Sequence, residues 1–182
     1  MHTWLTADLH FNHANIVAYS HRPFATVGEM NDHFIAMWQQ LVQPEDEVYV
    51  LGDFAFWRAT DLLSPRAIFD QLPGSKHLVK GNHDEKNQKV LQLPWASQRD
   101  ICTIKVGDAR LIACHYPIDS WKNAAKGYLH VHGHQHGNGR RPLAHRWDIG
   151  VDPQGYRLVD AASVVGWGAA QAFESVDHHG AD

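Results

Sequence analysis

The stretch Val48-Tyr49-Val50-Leu51-Gly52-Asp53 runs four apolar residues straight into a glycine and a carboxylate. The same design recurs along the chain. Asp8-Leu9-His10 follows the apolar pair Trp4-Leu5, and Gly81-Asn82-His83-Asp84 follows Leu78-Val79. His115 follows Leu111-Ile112-Ala113-Cys114, and Gly133-His134-Gln135-His136 follows Leu129-His130-Val131-His132. Short apolar runs of this kind read as buried strands, and the polar cluster marks where each chain segment leaves its sheet. Alternation along a strand puts Asp8 and His10 on one face. In open α/β sheets, ligands bind outside the carboxyl ends of the strands.

Between the strands lie amphipathic stretches, so the pattern predicts an α/β fold. Strands are expected at Thr3–Ala7, Glu47–Leu51, His77–Val79, Ile101–Val106, Arg110–Cys114, Leu129–His132, Asp148–Val151 and Arg157–Val159. Val27–Val42 reads as a helix, with Met30, Phe34, Met37, Trp38 and Leu41 on one stripe that fits core packing. Thr60–Gln71, Glu85–Leu91 and Ser163–Phe173 are further helical segments, and this count fits two sheets covered by helices.

Composition bounds the rest. The chain has 182 residues, 44% of them hydrophobic and 20% charged, which fits one domain over residues 1–175 with a frayed tail at 176–182. Net charge is -4 and the isoelectric point about 6.4, so no global basic field steers the chain toward nucleic acid. A local basic patch, Gly139-Arg140-Arg141-Pro142 with His145-Arg146, reads chiefly as a solvated loop. Two cysteines, Cys102 and Cys114, exclude a disulfide framework. They would face each other if residues 107–109 form a hairpin loop, and a reduced pair is expected. The first residues carry no signal-peptide pattern and no apolar run would span a membrane, so a cytoplasmic protein is expected. Oligomeric state is not legible.

The five strand-end clusters gather three Asp, one Asn and five His. Hard oxygen and borderline nitrogen donors without thiolates suit manganese, iron, zinc or nickel. The set is too large for one ion and describes two, with one carboxylate shared.

Taken in order, Asp-x-His, Gly-Asp, Gly-Asn-His-Asp, a lone His and Gly-His-x-His resemble the calcineurin-like metallophosphoesterase superfamily. The stretches Asp8–Ile16, Arg22-Pro23-Phe24, Gly52–Phe56, His115-Tyr116-Pro117 and Asp148–Asp152 are similar to its small, phage-like bacterial members. The resemblance implies a four-layer α/β/β/α sandwich, two mixed sheets flanked by helices. It implies one metal on Asp8, His10, Asp53 and His136, and another on Asp53, Asn82, His115 and His134, with Asp53 bridging. It implies a phosphoesterase; a metal-bridging hydroxide is the expected nucleophile, manganese is the first choice of metal, and a diester is expected over a monoester because little chain remains to build a deep cap over the site. His83 is the expected catalytic acid, with Asp84 orienting its imidazole or capping a helix at Glu85. His13, Arg22 and Trp121 are expected to contact substrate. Phe54, Phe56 and Trp57 either form an apolar wall or pack their loop. The expected substrate is a phosphate-ester small molecule or a nucleotide. A small DNA or RNA nuclease and a non-catalytic metal-binding interaction module are the alternatives.

Overall fold

The computed structural model describes residues 1–58, 61, 63–139 and 143–172. Nine strands and five α-helices follow one another among these residues. They are β1 (Thr3–Thr6), α1 (Ala14–Tyr19), α2 (Val27–Leu41), β2 (Glu47–Val50), α3 (Pro65–Phe69), β3 (Ser75–Val79), α4 (Gln88–Leu91) and β4 (Ser97–Arg99). After them come β5 (Ile101–Val106), β6 (Ala109–Cys114), β7 (Leu129–His132), β8 (Arg146–Asp148), β9 (Val159–Asp160) and α5 (Ala161–Ala169). The tail from residue 176, Arg140-Arg141-Pro142, part of the Thr60–Gln71 helix and the end of the Ser163–Phe173 helix lie outside the described residues.

Two mixed sheets form, as expected. The first has the order β4-β3-β2-β1-β9 and the second β5-β6-β7-β8. β1, β2, β3 and β4 run parallel, with β9 antiparallel at the edge. β6, β7 and β8 are parallel, with β5 antiparallel. A parallel bridge between Ala7 and Gly150 brings the end of β1 to the segment after β8.

Two hydrophobic clusters hold the layers together. One joins the α2 stripe (Met30, Phe34, Met37, Trp38) to Val48, Val50 and Leu78 and to Ile68 and Val90 of α3 and α4. The other lies between the sheets, where Leu5, Leu51 and Val79 meet Ile104, Leu111, Leu129 and Val131. Val164 of α5 joins this second cluster. Parallel strands covered on both faces are uniformly apolar, which is why the sequence shows runs rather than alternation. α2 starts at Thr26, whose hydroxyl accepts from the Glu29 backbone N–H, while the Glu29 carboxylate accepts from Ala25 N.

Several expectations shift. The stretch Asp148–Val151 is not a strand throughout: β8 ends at Asp148, and Gly150 makes only the bridge to Ala7. Val159–Asp160 replaces Arg157–Val159. α4 begins at Gln88, where Asn87 accepts from Val90 N as the cap, so Asp84 caps no helix at Glu85. The β5–β6 register pairs Ile101 with Cys114 and Cys102 with Ala113. Residues directly opposite share a face, so the two thiols lie on opposite faces of the sheet, and both are free. The hairpin turns on Gly107-Asp108 alone, with Val106 opposite Ala109, which offsets the two cysteines by one residue. No helix among the described residues is long and apolar enough to cross a membrane.

Candidate metal centre

The ends of both sheets deliver the predicted donors to one place. Asp8 leaves β1, Asp53 leaves β2, Asn82 and His83 leave β3, His115 leaves β6, and His134 and His136 leave β7. The β1 and β2 loops are laced together by backbone bonds from Asp8 N to Gly52 O, His10 N to Asp53 O and Phe11 N to Phe54 O. Asp8, His10, Asp53, His134 and His136 all take left-handed φ, between 48° and 69°. This conformation costs L-residues energy and clusters at functional sites. Gly52 has φ +89°, and a Cβ there would press on the His115 ring and lie 2.8 Å from the Gly81 Cα. Only glycine lets these loops approach so closely.

Donor atoms converge in three overlapping groups, each with atoms within 4.8 Å of one another: Asp8, His10 and His136; His10, Asp53 and His83; Asp8, Asp53 and His115. Asp53 Oδ2 lies 3.6 Å from His10 Nε2, 3.6 Å from His115 Nε2 and 3.8 Å from His83 Nε2. The shared carboxylate is therefore central. Asn82 Oδ1 sits 3.1 Å from His115 Nε2. The His134 ring is 5.0 Å from that of His115, and its backbone N–H donates to Asp8 Oδ2.

The chemistry of the pocket fits divalent cations. Asp8 Oδ1 and both ring nitrogens of His10 are buried without a hydrogen-bond partner among the described residues. Unpaired buried polar atoms are costly. Burial, followed by the Asp53 charge, pushes the Asp8 carboxyl well above the usual carboxylate range. Burial also raises Asp53 and pushes His10 well below the usual imidazole range. A cation would relieve each of these costs, because it favours ionised carboxylates and neutral imidazoles.

Outer partners fix which nitrogen each histidine presents. His115 Nδ1–H donates to Leu51 O at 2.8 Å, leaving Nε2 as a lone pair toward Asp53 and Asn82. His136 Nδ1–H donates to Asp152 Oδ2 at 2.7 Å. Metal-binding histidines are oriented in this way by carboxylates and carbonyls. Asp152 also holds Arg22 in a two-pronged pair, with Nε and Nη2 each 2.8 Å from a carboxylate oxygen. Asp148 accepts from Gly150 N and Gly137 N, which shapes the loop that carries His136.

Four expected roles meet this geometry differently. His83 stands at the mouth with its side chain 41% exposed, 5.3 Å from the His10 ring. Asp84 does not orient that imidazole. Its buried carboxylate accepts from the backbone N–H groups of Asp53, Phe54 and Gly81, and so ties the Asp53 loop to the Gly81 turn. Burial nonetheless lifts its pKa to about 6. Arg22 is not a substrate contact. It lies under the site and donates to Asp152, Leu9 O and Asp8 O. Trp121 is buried too. Its Nε1 donates to Tyr128 O and its ring lies 5.4 Å from that of His130, on the outer face of the second sheet. His13 does reach the site: its ring is 5.3 Å from His10 and stacks on Phe56 at 3.8 Å. Burial lowers its pKa to about 4, so it is neutral there. Phe54 is wholly buried and packs on Phe11 and Trp95.

Asp152 and Asp148 had no role assigned from the sequence. Their signal was the pair of acids that bounds Asp148-Ile149-Gly150-Val151-Asp152, a stretch of otherwise uncharged residues.

The chain is 33% identical over 135 residues to the uncharacterized protein MJ1445 of Methanocaldococcus jannaschii, spanning 74% of this chain and 69% of that one. The crystal structure of AQ665 from Aquifex aeolicus, a protein of unknown function, matches with a TM-score of 0.72 and 25% identity, covering 90% of this chain and 97% of that one. YfcE, a phosphoesterase from E. coli, matches with a TM-score of only 0.47 and 14% identity, over 82% of this chain and 78% of that one, too distant a likeness to bear on function. No family model matches.

Proposed function

We propose a function from one premise: the chain belongs to the family of the Methanocaldococcus jannaschii protein MJ1445. Our reading is a dinuclear, metal-dependent phosphoesterase of the calcineurin-like type, manganese being the first choice of metal. The observation that carries it is the His10 ring, buried beside Asp53 with both nitrogens unpartnered. A cation bound to one of those nitrogens would offset the cost of burying it.

Asp8, His10, Asp53 and His136 would hold one ion, and Asp53, Asn82, His115 and His134 the other. Bound there, two divalent ions would polarise the phosphoryl oxygens and lower the pKa of a water that serves as nucleophile. The chain's own residues do the rest. His83, exposed at the mouth, donates a proton to the departing oxygen. Asp84 clamps the backbone of Asp53 and so fixes where the shared carboxylate points. Asp152 keeps the proton of His136 on Nδ1, so that Nε2 faces the metal. Phe56 backs His13 and shields one flank of the site. The mouth is open at His83 and leaves room for a second ester arm, which favours diesters over monoesters. Two free thiols are in keeping with a reducing, cytoplasmic setting.

The test is turnover by manganese-loaded protein on an aryl phosphodiester and an aryl phosphomonoester. We expect diester turnover, lost in Asp53→Ala and reduced about 100-fold or more in His83→Ala with metal affinity kept. Faster monoester turnover would overturn the diester preference. Bound metal with no turnover on either ester would overturn the enzyme reading.

A further inference from the structure

Beside His83 opens a cleft of about 540 Å³, and the hydrolytic reading gives no role to its residues Trp57, Lys86 and Lys89. The loop after Asp53 contributes Phe56 and Trp57 to it, the segment leading into α4 contributes Asn82, His83 and Lys86, and α4 itself contributes Lys89. Asn82 and His83 tie one end of the cleft to the metal centre. Phe56 is already occupied, stacked on His13. Trp57 is half-buried, and among the described residues its ring stacks on no other aromatic side chain. Lys86 and Lys89 are exposed, and neither forms an ion pair among the described residues. Glu85, the neighbouring carboxylate in sequence, is not part of the lining.

An unpartnered indole and two unpartnered ammonium groups thus share one cleft that begins at the metal centre. The indole offers a stacking face to a flat aromatic group. The ammonium groups offer point charges to an anion. With one phosphate at the metals, the lysines are left for another. We propose that the substrate is a nucleotide carrying a second phosphate, with its base on Trp57 and that second phosphate on Lys86 and Lys89. An internal residue of a nucleic-acid strand, flanked by phosphodiesters on both sides, presents these groups as a diester, and a nucleoside phosphorylated on two hydroxyls presents the same groups as a binding probe. The proposal rests on the hydrolase reading for the place of the first phosphate.

Calorimetric binding to manganese-loaded protein tests it without relying on turnover. The probes are thymidine phosphorylated on both hydroxyls, thymidine monophosphate, deoxyribose phosphate and inorganic phosphate. The doubly phosphorylated nucleoside should bind tightest, and removal of the base or of the second phosphate should each weaken binding at least about fivefold. Trp57→Ala should erase the contribution of the base while Trp57→Phe keeps most of it. Lys86→Ala with Lys89→Ala should erase that of the second phosphate and reduce the dependence on salt. Neither change should alter the affinity for inorganic phosphate. Equal affinity for all four probes, or variants that bind the doubly phosphorylated nucleoside as wild type does, would overturn the proposal. If aryl diesters are turned over and the nucleoside shows no preference, the cleft assignment falls and the hydrolase stands. A preference abolished by these variants in a protein that turns over no ester keeps the cleft and removes the hydrolase.

Discussion

Replacing Asp152 by alanine strikes the fold and the metal centre together, and the two effects can be read apart. The Arg22 side chain is fully buried and Asp152 is 6% exposed, with both prongs of the pair at 2.8 Å. Burial alone would raise the Asp152 carboxyl, but the hydrogen bonds from His136 and Arg22 outweigh it and hold its pKa below the usual range. The pair is therefore ionised and desolvated. Removing one partner of such a pair leaves a buried charge uncompensated and costs about 3–5 kcal/mol. That is a large share of the roughly 5–15 kcal/mol that holds a domain together. Arg22 keeps its bonds to Leu9 O and Asp8 O, which argues for the lower end of the range. Urea unfolding of metal-free protein measures this loss. A cycle with Arg22→Met should return a coupling of about 2 kcal/mol or more. Manganese titration measures the second effect: losing the partner of His136 should weaken binding by about 10–100-fold. Asp152→Asn keeps an oxygen for His136 Nδ1–H and should lose less. A stability change below about 1 kcal/mol in Asp152→Ala, with no coupling to Arg22, would refute the reasoning.

Three further predictions concern charge and metal. His130 and His132 are buried on the outer face of the second sheet, and burial lowers both to about 4. The unfolded chain binds protons near pH 6.5 that the folded chain refuses, so stability is flat above that pH and falls as pH drops toward 4, by about 1.4 kcal/mol per pH unit for each histidine. Urea midpoints at successive pH values should show this contribution as a difference, the slope in His130→Gln being smaller than in wild type by about 1.4 kcal/mol per pH unit; an unchanged slope in that variant would count against it. Chelation should lower the melting temperature, and metal at 100 times its dissociation constant should restore about 2.7 kcal/mol. In metal-free protein, Asp8→Asn should raise stability, because the buried carboxylate is opposed by both desolvation and Asp53; a fall would contradict this account of the site.

Much of the fold is legible because the strands are short, apolar and end on chemistry. β5 and β7 have the expected bounds and β6 differs by one residue, since turn residues and apolar runs mark both ends. The donor set is legible for a related reason: carboxylate and imidazole at the close of an apolar strand have no packing use. What stayed hidden depends on distant partners. β4, Ser97-Gln98-Arg99, is a polar edge strand recruited by β3, and α1 is six residues long with one buried side chain, Ile16. Arg22 reads as a substrate contact only through the family resemblance. Its acceptors, Asp152 and the carbonyls of Asp8 and Leu9, lie 130, 14 and 13 positions away. The role of Asp84 needed the Asp53 loop folded against it.

The left-handed backbone at Asp8, His10, Asp53, His134 and His136 has an evolutionary consequence. At each position glycine would ease the conformation, by roughly 1 kcal/mol per residue. The backbone therefore bears a cost at each of these positions that a glycine would not. Once selection for the reaction lapses, drift toward glycine would erase the donors while the sandwich persisted. A homologous chain that keeps all five has therefore been held to its task generation after generation, and one that has lost them records when that task ended.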